Sequence, residues 1–283
     1  MVDVLIVGAG PAGVSAALTA SARGLSTLWF GSRSLSEKLE RAELVRNYPG
    51  LPDVSGRDMR DAFLRQVDEL GIEILEQRVA SIYPLGSLFA ACAGTDYFEG
   101  RALILATGVH AARSLPGEQE LLGHGVSCCA TCDGELYRGK RIAIVCEDPS
   151  LEDEVAFLAD LAETVALFTP FECETPLPGR VERFLGTPTA IVGNGRVEGV
   201  EFDGGLMPFD GVFCLRKSVS PQALLQGLET IDGHIVVDRS QRTSIAGCFA
   251  AGDCTGRPYQ FAKAVGEGNV AAHSAAEYLK SAR

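Results

Sequence analysis

Residues 4–13 read VLIVGAGPAG, an apolar run that leads directly into three closely spaced glycines. A short apolar run that ends at glycine is typical of a buried parallel strand. The spacing of Gly8, Gly10 and Gly13 permits a tight turn, close approach of the backbone to a ligand and close contact between helix and strand. The stretch predicts the first strand–turn–helix of a nucleotide-binding βαβ unit, although a glycine turn also occurs as a purely structural feature.

The predicted turn opens a helix, whose N-terminus attracts phosphate groups. We therefore expect this segment to bind a dinucleotide through Gly8, Gly10, Pro11, Ala12 and Gly13. An acidic residue that holds a ribose usually ends the second strand of such a unit. Here that place reads Phe30-Gly31-Ser32, so other groups must hold the ribose.

The rest of the chain repeats this organisation once. Hydrophobic periodicity predicts helices at 11–22, 59–70, 151–161 and 262–280, and strands at 26–30, 72–82, 88–98, 101–108, 141–145 and 165–168. Gly193-Asn194-Gly195 predicts a hairpin within 191–202. We expect an α/β protein with two Rossmann-like, three-layer nucleotide-binding domains, the second inserted into the first and degenerate. The predicted segments are 1–112 (first part of the first domain), 113–221 (the inserted domain) and 222–283 (second part of the first domain).

Composition limits the classes of function. The chain has 283 residues and a net charge of −12, which disfavours a nucleic-acid partner. Glycine and proline interrupt every apolar run before it reaches membrane-spanning length, so we expect no membrane partner. No basic segment precedes the first strand, and most of the nine cysteines are isolated, so we expect a reducing, cytoplasmic setting.

Residues 129–134 read CATCDG, which pairs Cys129 and Cys132 at a spacing used by zinc sites and by redox dithiols. A second such pair is missing and the four histidines are scattered, so a redox pair is favoured and no metal site is expected. Two thiols at this spacing exchange readily with external disulfides. Asp133 lies next to the pair and could move a proton during exchange. Cys128 could compete in exchange or remain a silent thiol.

Two further segments choose between flavin and nicotinamide at the first site. Residues 249–253 read FAAGD and residues 106–108 read ATG. Two-domain flavoprotein reductases are similar in both places, with the Gly-Asp on the ribityl chain of the flavin. The similarity implies FAD as cofactor, with Thr107, Gly108, Gly252 and Asp253 among its ligands.

The chain resembles the low-molecular-weight bacterial thioredoxin reductases over nearly its whole length. The resemblance rests on residues 8–13, 47–50, 106–108, 126–134 and 243–253, of which the dithiol segment is the most specific. It implies that Cys129 attacks thioredoxin, that Cys132 is the flavin-proximal thiol and that Asp133 is the general acid. It adds Asn47, Gln260 and Phe261 to the expected flavin site, although the family's Arg-Gln-Ala reads Tyr259-Gln260-Phe261 here.

The departures from the family lie in the second nucleotide site. The family binds NADPH through a second G-x-G-x-x-A, whose places hold Cys146, Asp148 and Leu151 here. Bulky side chains and the charges of Glu147 and Asp148 should exclude a pyrophosphate, because like charges repel at short range. The family's His-Arg-Arg, which holds the 2′-phosphate, is replaced by Thr169-Pro170-Phe171. We therefore expect this chain not to use NADPH.

These features together predict a flavin-dependent disulfide reductase. Its electrons are expected to pass from reduced ferredoxin through FAD and the Cys129–Cys132 pair to thioredoxin, in a homodimer like those of the family. A deazaflavin is another possible donor. The alternatives are an oxygen-dependent oxidase of small dithiols, which shares this architecture and runs electrons the other way, and a non-catalytic flavin-bound redox sensor.

Overall fold

The computed structural model describes residues 1–40, 42–108, 114–128, 130–173, 177–216 and 220–281. The chain forms two compact units, one of Met1–His110 with Leu224–Arg283 and the other of Ala111–Ala223. The second unit is thus inserted in sequence into the first. In the described part of the chain, none of the helices combines the length and apolar character that crossing a membrane requires.

The helices are α1 (Pro11–Ala22), α2 (Glu37–Glu40), α3 (Gly56–Glu69), α4 (Ala130–Asp133), α5 (Glu152–Leu161), α6 (Pro221–Leu224) and α7 (Phe261–Ser281). The strands are β1 (Val2–Val7), β2 (Thr27–Phe30), β3 (Ile74–Leu75), β4 (Val79–Leu85), β5 (Leu88–Ala93), β6 (Asp96–Leu105), β7 (Val126–Ser127), β8 (Arg141–Cys146), β9 (Thr164–Thr169), β10 (Val181–Leu185), β11 (Ala190–Gly193), β12 (Val197–Phe202), β13 (Gly205–Pro208), β14 (Gly211–Leu215), β15 (Thr230–Ile231), β16 (His234–Ile235) and β17 (Cys248–Ala250).

The first unit is built on a sheet in which β3, β2, β1, β6 and β17 run parallel. The beginning of β6 also pairs antiparallel with β5, which pairs with β4. Val4, Leu5 and Ile6 of the central strand β1 are fully buried, as expected for a parallel strand covered on both faces. Helices α1 and α7 pack so closely that a Cβ on Gly268 would lie 2.1 Å from the Ala12 carbonyl oxygen. Small residues therefore bring the terminal helix against the first one.

The second unit is built on a parallel sheet with the strand order β10-β9-β8-β14-β7. Ile142 and Ile144 of β8 pack in one apolar cluster with α5. Ala143 and Val145 pack in another with the antiparallel strands β11 and β12. The alternation of side chains along β8 thus gives this unit its three layers.

Most predicted elements are confirmed, with three corrections. The 11–22 helix and the hairpin at Gly193-Asn194-Gly195 form as expected. The strand boundary within 88–108 was wrong, because the chain turns at Gly94 with φ +59° and then runs straight through β6. The 72–82 segment divides into β3 and β4. The helix predicted to start at Leu151 starts at Glu152, because residues 149–151 form a separate 3-10 turn.

Candidate functional site

The glycine turn after β1 contains glycines of two kinds. A Cβ on Gly8, whose φ is +111°, would lie 2.2 Å from the Ala106 carbonyl oxygen, and a Cβ on Gly13 would lie 1.9 Å from that of Gly8. Both are required by the packing of the chain itself. A Cβ on Gly10 would meet no atom of the described residues within 4 Å. Helix α1 starts next to this open space, so the unpaired amides of its first turn and its positive dipole end suit a phosphate there.

The turn that follows β17 comes against the same helix end. Strands β1 and β17 both pair with β6 in the parallel sense, so their carboxyl ends lie at one edge of the sheet. Gly252 adopts φ +90°, and a Cβ there would lie 2.9 Å from the Cβ of Ala12. Gly8 is also close to Thr107, whose amide nitrogen would lie 3.0 Å from a Cβ on Gly8. The structure therefore brings together three segments that are distant in sequence, which contain Gly8 and Ala12, Thr107, and Gly252.

Two side chains of α7 hold the Gly252 turn. The Gly252 amide donates to Glu267 Oε2 at 2.8 Å, and the Thr255 hydroxyl donates to the same oxygen at 2.9 Å. Lys263 Nζ donates to the carbonyl oxygens of Gly252 at 2.9 Å and Gly256 at 2.7 Å. Lys263 and Glu267 also pair with each other at 3.1 Å. The sequence analysis missed this network, although a Lys and a Glu four residues apart at the start of a helix were a usable signal.

Four predicted or neighbouring side chains form two pairs beside this turn. Asp253 Oδ2 accepts from Lys38 Nζ at 3.0 Å. Asn47 Nδ2 donates to Gln260 Oε1 at 2.7 Å, which joins two predicted ligands that are 213 residues apart. Lys38 was not predicted as a site residue.

The remaining predicted flavin residues lie at the ends of elements in the same unit. Pro11 is the first residue of α1 and Phe261 is the first residue of α7. Gly108 follows β6 with φ +72°, and a Cβ there would meet no atom of the described residues within 4 Å. Cys254 is buried nearby, and burial raises the pKa of its thiol to about 11, so it stays protonated near neutral pH. The unit therefore offers amide donors for a diphosphate, a carboxylate for hydroxyl groups and two amide side chains, which fits FAD.

The dithiol segment lies in the second unit, between β7 and a 3-10 turn at residues 134–137. Cys129 lies outside the described residues, and so does the side chain of Cys132, whose backbone belongs to α4. The Asp133 carboxylate accepts from the Ser127 hydroxyl at 2.6 Å. Cys128 is 9% exposed and contributes to the apolar cluster around β8. Ser127 thus fixes the predicted general acid on the short helix that carries the second cysteine.

The second nucleotide site is filled by the side chains that replace its glycines. Cys146 and Leu151 are buried in the cluster that contains α5. Burial raises the pKa of the Cys146 thiol to about 11, so it stays neutral. Asp148 Oδ1 accepts from the Ser150 amide at 2.9 Å and from the Ser150 hydroxyl at 2.6 Å. The Asp148 carboxylate therefore accepts a hydrogen bond from the Ser150 amide at the start of the turn that leads into α5. A phosphate would otherwise bind at this place.

Glu147 and Arg216 follow the neighbouring parallel strands β8 and β14. Arg216 is buried and donates from Nη1 to Glu118 Oε1 at 2.6 Å, and its Nε lies 3.0 Å from Glu147 Oε1. The other oxygen of Glu118 accepts from the Leu115 amide at 2.8 Å. Glu147 adds negative charge here, as expected from the sequence, and the structure shows in addition that this carboxylate is paired with Arg216. Glu147 thus pairs with the Arg216 guanidinium at the sheet edge where doubly wound domains bind their ligands.

Comparisons with known proteins agree with this arrangement. A family model described as pyridine nucleotide-disulphide oxidoreductase matches residues 2–145 and 183–268. Thioredoxin reductase of Treponema pallidum is 33% identical over 98% of this chain and 97% of its own length. Thioredoxin reductase of Listeria monocytogenes is 30% identical over 98% of this chain and 94% of its own length.

Solved structures show the same likeness in three dimensions. A ferredoxin-flavin thioredoxin reductase from Clostridium acetobutylicum is 41% identical, with a TM-score of 0.87 over 99% of this chain and 98% of that one. A thioredoxin reductase from Gloeobacter violaceus is 30% identical, with a TM-score of 0.71 over 99% of this chain and 94% of that one. The chain therefore belongs to the pyridine nucleotide-disulphide oxidoreductase family and, within it, to the low-molecular-weight thioredoxin reductases, whose cofactor is FAD.

Proposed function

We propose that this protein is an FAD-dependent thioredoxin-disulfide reductase that takes electrons from reduced ferredoxin and not from NADPH. The observation that carries the proposal is the pairing of Arg216 with Glu147 and Glu118 in the second unit. A basic residue at this sheet edge would serve a pyridine nucleotide only if its charge were available. Here two carboxylates of the chain already neutralise it.

FAD supplies a store for two electrons between a donor and a protein disulfide. We assign its diphosphate to the glycine turn at residues 8–13 and its ribityl chain to Asp253, with Asn47 and Gln260 toward the ring. Thr107, Gly108, Gly252 and Phe261 complete the proposed site. The first unit is then the FAD-binding domain and the second is the redox domain.

The dithiol completes the proposed reaction. The Cys129 thiolate attacks the disulfide of oxidised thioredoxin, which forms a mixed disulfide and releases one thiolate of thioredoxin. The Cys132 thiolate then attacks the Cys129 sulfur, which closes the Cys129–Cys132 disulfide and releases the second thiolate. Asp133, oriented by Ser127, gives a proton to the departing sulfur. The other released thiolate takes its proton from water, so the product is thioredoxin with both cysteines as thiols.

One finding supports ferredoxin as the donor and a second argues against NADPH. The Clostridium acetobutylicum protein that is 41% identical to this chain is a ferredoxin-flavin thioredoxin reductase. The family model leaves residues 146–182 unmatched, and this interval contains Glu147, Asp148, Leu151 and the replaced His-Arg-Arg triplet. We further propose that the protein is a cytoplasmic homodimer, as the resemblance implies.

The proposal is tested by anaerobic turnover with reduced ferredoxin and oxidised thioredoxin, followed by the appearance of thioredoxin thiols. Cys129→Ser and Cys132→Ser should each abolish turnover, whereas Cys128→Ser should retain it. Turnover that persists without the pair would contradict the assigned relay. Peroxide formation from small dithiols in air, with no reduction of thioredoxin, would favour the dithiol oxidase. Bound flavin without either activity would favour the redox sensor.

A further inference from the structure

Lys38 connects two segments of the proposed flavin site that are far from it in sequence. It lies on α2, and its Nζ is 3.0 Å from Asp253 Oδ2. The same nitrogen lies 5.0 Å from the centroid of the Tyr259 ring. Asp253 is the proposed ligand of the ribityl chain, and Tyr259 precedes Gln260, the proposed ligand of the ring. Lys38 therefore stands between the two.

The hydroxyl end of the Tyr259 side chain is held in place by His234. His234 Nε2 lies 2.6 Å from the Tyr259 hydroxyl. Arg257 lies 5.0 Å from the centroid of the same ring. A ring that is held in this way gives the Lys38 ammonium a defined surface, and a cation over an aromatic face is attracted to it.

Folding stability does not account for this arrangement. The Lys38 side chain is 58% exposed, and ion pairs of that kind contribute little to stability because water screens them. Asp253, in contrast, is only 17% exposed and faces the turn that Lys263 and Glu267 hold. We therefore look for the role of Lys38 in its contact with Asp253, the proposed ligand of the ribityl chain.

We propose that Lys38 sets the reduction potential of the bound flavin; this inference rests on the proposed function. The ribityl chain joins the ring at N10, and N1 lies on the neighbouring carbon of the same edge. A cation held against Asp253 and the Tyr259 ring, which precedes the proposed ring ligand, would lie on the side of that edge. Charge placed near N1 is one of the means by which proteins tune flavins.

The Lys38 charge is important because the proposed donor, reduced ferredoxin, transfers one electron at a time. A one-electron donor would deliver each electron to the flavin without a proton, so negative charge would develop at the ring before a proton is taken up from water. The Lys38 ammonium would attract that charge, and its pairing with Asp253 and its exposure to solvent reduce this attraction without removing it. Lys38 thus favours reduction of the flavin and raises its potential.

The test is anaerobic potentiometric titration of purified holoprotein, with FAD content and FAD dissociation constant measured in parallel. Lys38→Gln removes the charge and keeps a polar side chain, whereas Lys38→Arg keeps the charge. Lys280→Gln makes the same charge change on an exposed part of α7 and is the matched control. We expect a more negative potential in Lys38→Gln, a potential close to wild type in Lys38→Arg and no change in Lys280→Gln.

Three results would overturn the proposal. The first is a wild-type potential in Lys38→Gln with FAD bound. The second is an equal shift in Lys38→Gln and in either Lys38→Arg or Lys280→Gln. The third is loss of FAD from Lys38→Gln, which would assign Lys38 to retention and not to tuning. Failure of the proposed function would appear differently, as wild-type holoprotein that does not reduce thioredoxin whatever its potential.

Discussion

Arg216 Nε and Glu147 Oε1 lie 3.0 Å apart at the ends of two neighbouring strands of the second unit. The Arg216 side chain is 5% exposed, and a guanidinium at that depth needs anionic partners. Glu118 and Glu147 supply them. Neither Nε nor Nη2 of Arg216 forms a hydrogen bond within the described ranges, so Glu147 contacts the guanidinium as an ion pair only and the guanidinium keeps capacity for a further acceptor. The chain thus carries both an anion receptor and the group that fills it.

Removal of the Glu147 carboxylate should expose this receptor. In Glu147→Ala, inorganic pyrophosphate at about 100 times its Kd should raise the Tm by roughly 4–6 °C, since such binding stabilises by about 2.7 kcal/mol. Thermal unfolding with and without pyrophosphate measures the shift. Wild type and Glu120→Ala, which removes an exposed glutamate, should show none. An equal shift in all three proteins would mean that Glu147 does not block the site.

The two kinds of glycine in the first turn should respond differently to a methyl group. Gly13→Ala should lower the unfolding free energy of the apoprotein by about 1–3 kcal/mol, because its Cβ would overlap a backbone oxygen. Gly10→Ala should leave that free energy unchanged and weaken FAD binding by about tenfold, or about 1.4 kcal/mol. Urea unfolding and flavin fluorescence titration measure the two quantities. FAD affinity unchanged by Gly10→Ala would remove the diphosphate from this turn.

The hydrogen bonds that Glu267 accepts from Gly252 and Thr255 should increase the affinity for FAD. Glu267→Ala leaves the Gly252 amide without its acceptor, so we expect a turn that is free to rotate and FAD affinity about tenfold lower. Glu277→Ala, on an exposed part of the same helix, is the control and should bind FAD as wild type does. Matching affinities for the two variants would show that the Gly252 turn holds its shape without Glu267.

The buried thiol of Cys146 should make stability depend on pH in the alkaline range. Its folded pKa of about 11 lies above the ordinary value of 9.0, so the unfolded state loses the thiol proton first. The contribution of the protonated thiol to the free energy of unfolding is complete below pH 9 and is lost as pH rises to about 11. It amounts to roughly 2–3 kcal/mol, from two pKa units at about 1.4 kcal/mol each. The difference in the free energy of unfolding between wild type and Cys146→Ala should therefore narrow between pH 9 and about pH 11. A difference that stays constant over this pH range would contradict the raised pKa of Cys146.

Local signals made part of the molecule predictable from sequence. The first helix was placed correctly because the glycine turn and Pro11 define its start within a few residues. The hairpin at residues 193–195 was found because Gly and Asn tolerate the positive φ that tight hairpin turns require, and Gly195 adopts φ +72°. The strand boundary near Gly94 was misjudged because the first half of β6 is polar and contains Gly100, which in sequence resembles the end of a strand, whereas the chain turns at Gly94.

The side-chain networks could not be predicted in the same way. Arg216 and Glu118 are 98 residues apart, and Asn47 and Gln260 are 213 apart. Nothing in the neighbourhood of either residue specifies such a partner, because the pairing depends on which strand ends meet at a sheet edge. The acidic residues at 147 and 148 were recognised as hostile to a dinucleotide. Their action through Arg216 and Ser150 required the fold.

We propose that the chain itself closes the second nucleotide site while the flavin site remains intact. Rapid anaerobic mixing of oxidised holoprotein with NADPH, followed by the flavin absorbance, tests both halves of this proposal. We expect that NADPH leaves the flavin oxidised and that reduced ferredoxin bleaches it. Prompt bleaching by NADPH would show that the second nucleotide site is open.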